Sequence, residues 1–148
     1  MPIPPHTGQH APDAPPPNPV RTLALGALAG LAILKAVMLA GQFTQTEPYP
    51  PLQFAPLFAS SLALSALCAA LMLVRSRWFA LPTAAVILES LLSFGPHKLY
   101  PGPPPVFAQT VAVYPAIAVG SVLIGVLAAA SWKLYRPTAR GRSHGSPA

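Results

Sequence analysis

The sequence predicts an all-α fold, an integral membrane four-helix bundle with both termini in the cytoplasm. Four apolar stretches are each about as long as a helix that crosses a bilayer core of ~30 Å: residues 22–43, 54–74, 78–96 and 106–132. Two long segments, 48–74 and 99–132, contain no Asp, Glu, Lys or Arg. Because a helix in water needs a polar face, these segments are typical of helices in lipid.

The composition argues against other classes of protein. Of the 148 residues, 53% are hydrophobic and 8% are charged, whereas a soluble domain has about 25% charged residues. We therefore expect one membrane domain, residues 21–135, and no separate soluble domain. The net charge of +6 does not indicate nucleic acid as a partner, because the basic residues flank the apolar stretches and suit anionic lipid head groups instead.

The positions of the basic residues predict the orientation in the membrane. If the spans alternate in direction, one side of the membrane receives seven basic residues: Arg21, Arg75, Arg77, Lys133, Arg136, Arg140 and Arg142. Lys98 falls on the other side. Positive residues collect in cytoplasmic loops, so both ends are predicted inside, and Trp78 and Trp132 fall at the expected interface. Frequent Ala and Pro with short loops favour the bacterial cytoplasmic (inner) membrane.

In the first half of the chain, prolines mark the expected boundaries of the tail, the first helix and the loop that follows it. Residues 1–20 contain eight prolines and no apolar periodicity, which predicts a disordered tail. The first helix is expected to start near residues 20–22 and to end near Gln42, because the prolines of the loop 42–53 do not continue a helix. Pro56 then lies in the first turn of the second span, where proline is tolerated.

The second half divides at short turns. The turn Arg75-Ser76-Arg77 is so short that the spans on either side must be antiparallel neighbours. Gly95-Pro96 ends the third span, and Pro115 should kink the fourth. Residues 136–148 are predicted to be a basic, disordered tail.

Two ionisable residues lie inside the spans, Lys35 and Glu89. Both are about 18–21 Å along their helices from the cytoplasmic side, so they share one depth. A charge near the bilayer centre costs roughly 2.5–3.5 kcal/mol, and pairing reduces this cost. We expect an intramembrane charge pair or proton site. In the alternative, Lys35 reaches the outer interface and Glu89 is protonated, or both engage a partner or ligand.

Hydroxyl groups lie at nearly the same level as these two charges. Ser61 is about 21 Å from Arg75 along the second span, Ser65 follows one turn later, and Ser93 shares a helix face with Glu89. Small and polar residues of this kind are typical of helix packing in lipid. The functional alternative is a polar pocket or a proton path.

A separate pair of small residues lies on the first span. Gly26 and Gly30 are both about 140–180° around the helix from Lys35. If Lys35 faces the bundle, both glycines face outward and form a helix-docking seam for a second copy or another subunit. In the alternative, the helix is rotated so that neither face is exposed to lipid.

Motifs for catalysis or cofactor binding are missing from the sequence. It has no phosphate-binding glycine loop, no nucleophile–base set and no haem motif, and its histidines have no metal-ligand spacing. We therefore expect no catalytic residue, no metal and no cofactor, and no motif assigns the chain to a family.

The function expected from these features is non-catalytic. The chain is interpreted as a small inner-membrane protein, an accessory, assembly or stabilising subunit of a larger complex, with the lipid bilayer and another membrane protein or a second copy as partners. The alternative is a small proton-coupled transporter or a quinone-interacting membrane protein that uses Glu89 and Lys35.

Overall fold

The computed structural model describes residues 18–46, 51–96 and 113–136. These residues are helical throughout apart from short connections, and they contain no strand. The α-helices of the described ranges are α1 (Pro19–Thr44), α2 (Ala55–Leu73), α3 (Ala80–Phe94) and α4 (Val113–Tyr135). Short 3-10 turns, Leu52–Phe54 and Arg77–Phe79, lead directly into α2 and α3. With these turns included, all four helices are long and apolar enough to span a membrane, which confirms the predicted helical class.

The helix boundaries follow from local capping. The side chain of Asn18 accepts hydrogen bonds from the backbone N–H groups of Val20 (3.0 Å) and Arg21 (3.4 Å), and Pro19 occupies the first turn, where its missing N–H costs nothing. Pro19 and Val20 therefore belong to α1 and not to the predicted tail. At the other end, Gln45 closes α1 in the left-handed region, with φ 53°.

The connection between α2 and α3 is a tight C-cap followed at once by an N-cap. Arg75 adopts φ 59°, its N–H bonds to the carbonyl of Met72, and the N–H of Ser76 bonds to the carbonyl of Leu71 at 3.0 Å. This pattern usually has glycine in the left-handed position, and another residue there costs about 1–2 kcal/mol. The Ser76 side chain then accepts a hydrogen bond from the N–H of Trp78 and caps the turn that leads into α3.

The four helices pack in the cyclic order α1, α2, α3, α4, and the contact between α1 and α4 is the most extensive. One end of the bundle carries Arg21, Arg75, Arg77 and Leu134 around a common cleft. The start of α1, the end of α2, the start of α3 and the end of α4 therefore meet there, so successive helices run in opposite directions.

The surface of the bundle is unlike that of a water-soluble one, and its interior combines apolar side chains with buried polar ones. Large apolar side chains are exposed all around the middle of the helices: Leu23, Ile33, Val37, Leu67, Leu88, Leu92, Val119 and Val122. The interior in turn contains polar side chains: Lys35, Gln42, Ser61, Ser65, Thr83, Ser90 and Ser131. An exposed apolar surface of this extent is stable in lipid and not in water.

Some sequence predictions fall outside the described residues. They are the proline-rich tail up to residue 17, the loop 47–50, the segment 97–112 with the predicted start of the fourth span, and the basic tail beyond Arg136. In the described part of the fourth span, the helix continues past Trp132 to Tyr135. Pro115 lies two residues after the first described residue of α4, so the turn at which the predicted kink would form lies outside the described residues.

Candidate functional site: a buried ion pair and an open glycine

Lys35 and Glu89 meet inside the bundle, together with Ser61. The Lys35 Nζ forms a salt bridge with Oε2 of Glu89 and donates a hydrogen bond to Ser61 Oγ at 2.5 Å. The Ser61 hydroxyl donates in turn to the same carboxylate oxygen, at 2.7 Å. Three helices, α1, α2 and α3, thus contribute one polar group each to a closed triangle of hydrogen bonds.

The other two serines of the predicted polar level have different roles. Ser93, one turn after Glu89 on α3, donates to its second oxygen, Oε1, at 2.8 Å. Ser65 does not reach the ion pair and bonds to the carbonyl oxygen of Ser61, one turn earlier in α2, at 2.8 Å. The carboxylate therefore accepts hydrogen bonds from Lys35, Ser61 and Ser93.

The two ends of the ion pair differ in exposure. The Lys35 side chain is 0% exposed and the Glu89 side chain is 16% exposed. Removing either partner would leave an uncompensated charge in the interior, whereas the intact pair is neutral and hydrogen bonded. Because α1 and α3 are opposite each other in the ring of helices, the salt bridge is a diagonal brace across the bundle.

Further buried polar groups flank this brace, and the sequence pattern singled out neither Thr83 nor Gln42 among them. Thr83 donates to the carbonyl of Phe79 at 2.7 Å, so the Cys68 thiol is the donor in its 2.9 Å contact with Thr83 Oγ1. Gln42 bonds through Nε2 to the carbonyl of Pro51 at 3.1 Å and ties α1 to the start of the second span. Gln42 lies at the end of an apolar run, where sequence alone does not separate a loop residue from a buried tether.

The structure places the two glycines of the predicted docking seam differently. A Cβ at Gly26 would meet nothing within 4 Å, so this glycine faces outward. At Gly30 a Cβ would lie 2.9 Å from Leu123 Cδ1 of α4, so Gly30 packs inside the bundle and does not face outward. The two glycines differ by about 40° around the helix, and the extensive contact between α1 and α4 covers one of them.

A third glycine, Gly120, permits α3 and α4 to approach closely at the end of the bundle away from the arginines. A Cβ at this position would lie 2.6 Å from the Cβ of Phe94, so α3 and α4 pack nearly backbone to backbone. Ser121 adds a hydrogen bond to the Phe94 carbonyl at 3.1 Å. The sequence offered several small residues on α4, and their spacing alone did not identify which one meets α3.

Comparisons of this chain with protein-family models, with curated proteins and with solved structures find no match. Two features of the structure bear on function. One is the ion-pair cluster formed by Lys35, Glu89, Ser61 and Ser93, and the other is the open surface at Gly26.

Proposed function

We propose that this chain is a non-catalytic accessory, assembly or stabilising subunit of a larger complex in the bacterial inner membrane, with both termini in the cytoplasm. The observation that carries the proposal is the open surface at Gly26. This glycine lies in a shallow apolar groove between α1 and α4, together with Pro19, Thr22, Leu23, Leu123 and Val126. We call it the Gly26 groove.

The shape of the Gly26 groove suits a transmembrane helix of another protein. In lipid, helices associate through close packing at small residues, because lipid tails solvate leucine as well as a neighbouring helix does. A glycine with open space above its Cα allows a partner backbone to approach closely. The groove lies near the arginine-bearing end of the bundle, since Pro19 and Thr22 are in the first turns of α1.

The ion-pair cluster supports a structural role better than a transport role. Lys35 is completely buried, and all of its contacts are within the bundle. A fully hydrogen-bonded ion pair of this kind specifies which helices meet. A bundle with one defined arrangement presents a constant outer surface, which a subunit that docks through that surface requires.

A bulky substitution in the groove tests the docking role. We expect Gly26→Leu to fill the groove and to remove the partner proteins that copurify with the wild-type chain in a mild detergent. Ala36→Leu is the matched control, because it adds the same side chain to an exposed position of α1 outside the groove. Mass determination of the purified complexes is the measurement, and a wild-type chain that purifies only as a homodimer contradicts the accessory role.

Sidedness is tested separately with a reporter fused to the carboxyl terminus. Basic residues are concentrated at the start of α1 and at the end of α4, which supports a cytoplasmic location for both termini. We expect a reporter that works only in the cytoplasm to be active. Activity of a reporter that works only in the periplasm would contradict the proposed orientation and leave the membrane location intact.

One observation favours the alternative function, a proton-coupled transporter or a quinone-interacting protein. The Glu89 side chain keeps 16% exposure and is linked to the buried Lys35 both directly and through the Ser61 hydroxyl, so a proton or a polar ligand could reach it. In that case the purified chain alone should bind its ligand in a pH-dependent manner. Glu89→Gln should abolish the pH dependence, and Ser65→Ala, which leaves the carboxylate contacts intact, should preserve it.

A further inference from the structure

A second cavity lies at the opposite end from the ion pair, where the arginines meet. It is a cleft of about 300 Å³ with Arg21 of α1 and Arg75 and Arg77 of the α2–α3 turn on its rim. Met72, Phe79 and Leu134 supply an apolar lining, and Met72 and Phe79 are themselves buried. We call this cavity the arginine cleft.

The arginine cleft has an unbalanced charge. Within residues 18–46, 51–96 and 113–136 the one acidic residue is Glu89, which pairs with Lys35 inside the bundle. The sequence places one further carboxylate, Asp13, on the same side of the spans. The three arginines of the cleft therefore outnumber the acidic side chains on that side, which leaves positive charge for an anion from outside.

The backbone at Arg75 gives an independent reason to assign a role to its side chain. This residue has φ 59° and directly follows Val74, the C-cap of α2, at the position where glycine is strongly preferred. An arginine there is disfavoured by its Cβ. Such strained positions are concentrated at functional sites, and Arg75 is one of the residues that line the cleft.

We propose that the arginine cleft binds the phosphate group of an anionic phospholipid. Guanidinium groups match phosphate with paired, charge-assisted hydrogen bonds. The apolar lining suits the glycerol and the first carbons of the acyl chains, which a free inorganic ion lacks. Basic pockets between membrane helices bind lipid head groups by this combination. The volume is sufficient for a head group, and the acyl chains remain in the bilayer.

Native mass spectrometry of the full chain in mild detergent tests the proposal with phosphatidylglycerol, and with phosphatidylcholine as the zwitterionic comparison. We expect selective retention of phosphatidylglycerol. Arg75→Gly and Arg21→Gln should each weaken it roughly tenfold, because each removes a charge-assisted contact. Arg75→Gly suits the local backbone, so its melting temperature should equal or exceed that of the wild type.

Lys133→Gln is the matched control for nonspecific charge, because Lys133 lies at the same end of the bundle but does not line the cleft. Retention should be unchanged in this variant. An equal loss in Lys133→Gln and Arg75→Gly would overturn the proposal in favour of diffuse surface attraction. Inorganic phosphate should bind the lipid-free protein more weakly than phosphatidylglycerol does. If it binds with equal affinity and displaces phosphatidylglycerol, the proposal that the cleft recognises a phospholipid is wrong.

Discussion

The two halves of the bundle are held together by different forces. Towards the arginine end, the core is a continuous apolar cluster that includes Ala24, Leu28, Met72, Val86 and Leu127. Towards the other end, the ion-pair cluster and the Gln42 tether join the first three helices, and Ser121 of α4 bonds to the Phe94 carbonyl of α3. We refer to these as the apolar half and the polar half.

The difference shows where the specificity of the fold resides. In a bilayer, burying a leucine between helices gains little from the hydrophobic effect, because lipid is as apolar as the interior. The apolar half therefore contributes mainly packing, which several helix rotations could satisfy. The polar half accepts one arrangement, because Lys35, Ser61 and Glu89 must all reach the same point.

The largest expected effect comes from removing one member of the ion pair. We expect Lys35→Ala to reduce the free energy of unfolding by about 3–5 kcal/mol, because the Glu89 charge loses its partner. Unfolding in mixed detergent micelles measures this change. Lys35→Met combined with Glu89→Leu should restore most of the stability.

Exchange of the two charges provides a stricter check on the same pair. Lys35→Glu combined with Glu89→Lys should be more stable than either single change, since the exchanged residues still pair. If the double variant were no better than the single ones, the polar half would not owe its stability to this ion pair.

A smaller effect is expected where α3 and α4 approach most closely. Gly120→Ala places a methyl group against the Phe94 Cβ and should cost about 1–3 kcal/mol through overpacking. Gly125→Ala on the same helix, where a Cβ meets nothing, should leave the stability unchanged or raise it by up to about 1 kcal/mol. The same unfolding assay compares the two, and equal losses would contradict the close approach.

Truncation of a buried leucine tests how much the apolar half contributes to stability. Leu28 is buried in the apolar half, and truncation in a water-soluble core costs about 2–5 kcal/mol. We expect Leu28→Ala to cost only about 1–2 kcal/mol, because the transfer part of that cost is small in lipid. A loss as large as that of Lys35→Ala would show that the apolar half contributes equally to stability.

The smallest effect should come from the outermost hydroxyl of the ion-pair cluster. Ser93 donates a hydrogen bond to Glu89 within α3, and even the hydrogen bonds that join different membrane helices contribute only about 0.6 kcal/mol on average. We expect Ser93→Ala to cost about that much and Ser93→Thr, which keeps the hydroxyl, to cost less. Identical unfolding curves for both variants would argue against this hydrogen bond.

The types and positions of residues along single helices were sufficient to predict which side chains of the polar half lie at one depth. Lys35, Glu89 and Ser61 could be placed at one depth by counting residues from the basic ends of their spans, and the cost of a lone charge in lipid favours contact between them. The hydrogen-bond geometry at Glu89 required the structure, since Ser65 was as good a candidate as Ser93 from spacing alone.

Features that depend on how two helices meet were not accessible from the sequence. Gly26 and Gly30 have equivalent neighbours along the chain, and only the position of Leu123 separates the open glycine from the packed one. The left-handed backbone at Arg75 could not be predicted, because glycine is the usual signal for that conformation and the sequence has arginine there. The burial of Gln42 could not be predicted either, because the residue lies between an apolar run and a loop.

The separation of Lys35 and Glu89 by 54 positions has a consequence for biosynthesis. At a translation rate of 5–20 residues per second, the ribosome needs roughly 3–11 seconds to progress from the lysine codon to the glutamate codon. During that interval the nascent first helix carries a cation whose counter-ion does not yet exist. The insertion machinery must therefore shelter this segment, or hold it near the aqueous boundary, until the third helix emerges and the four segments close together.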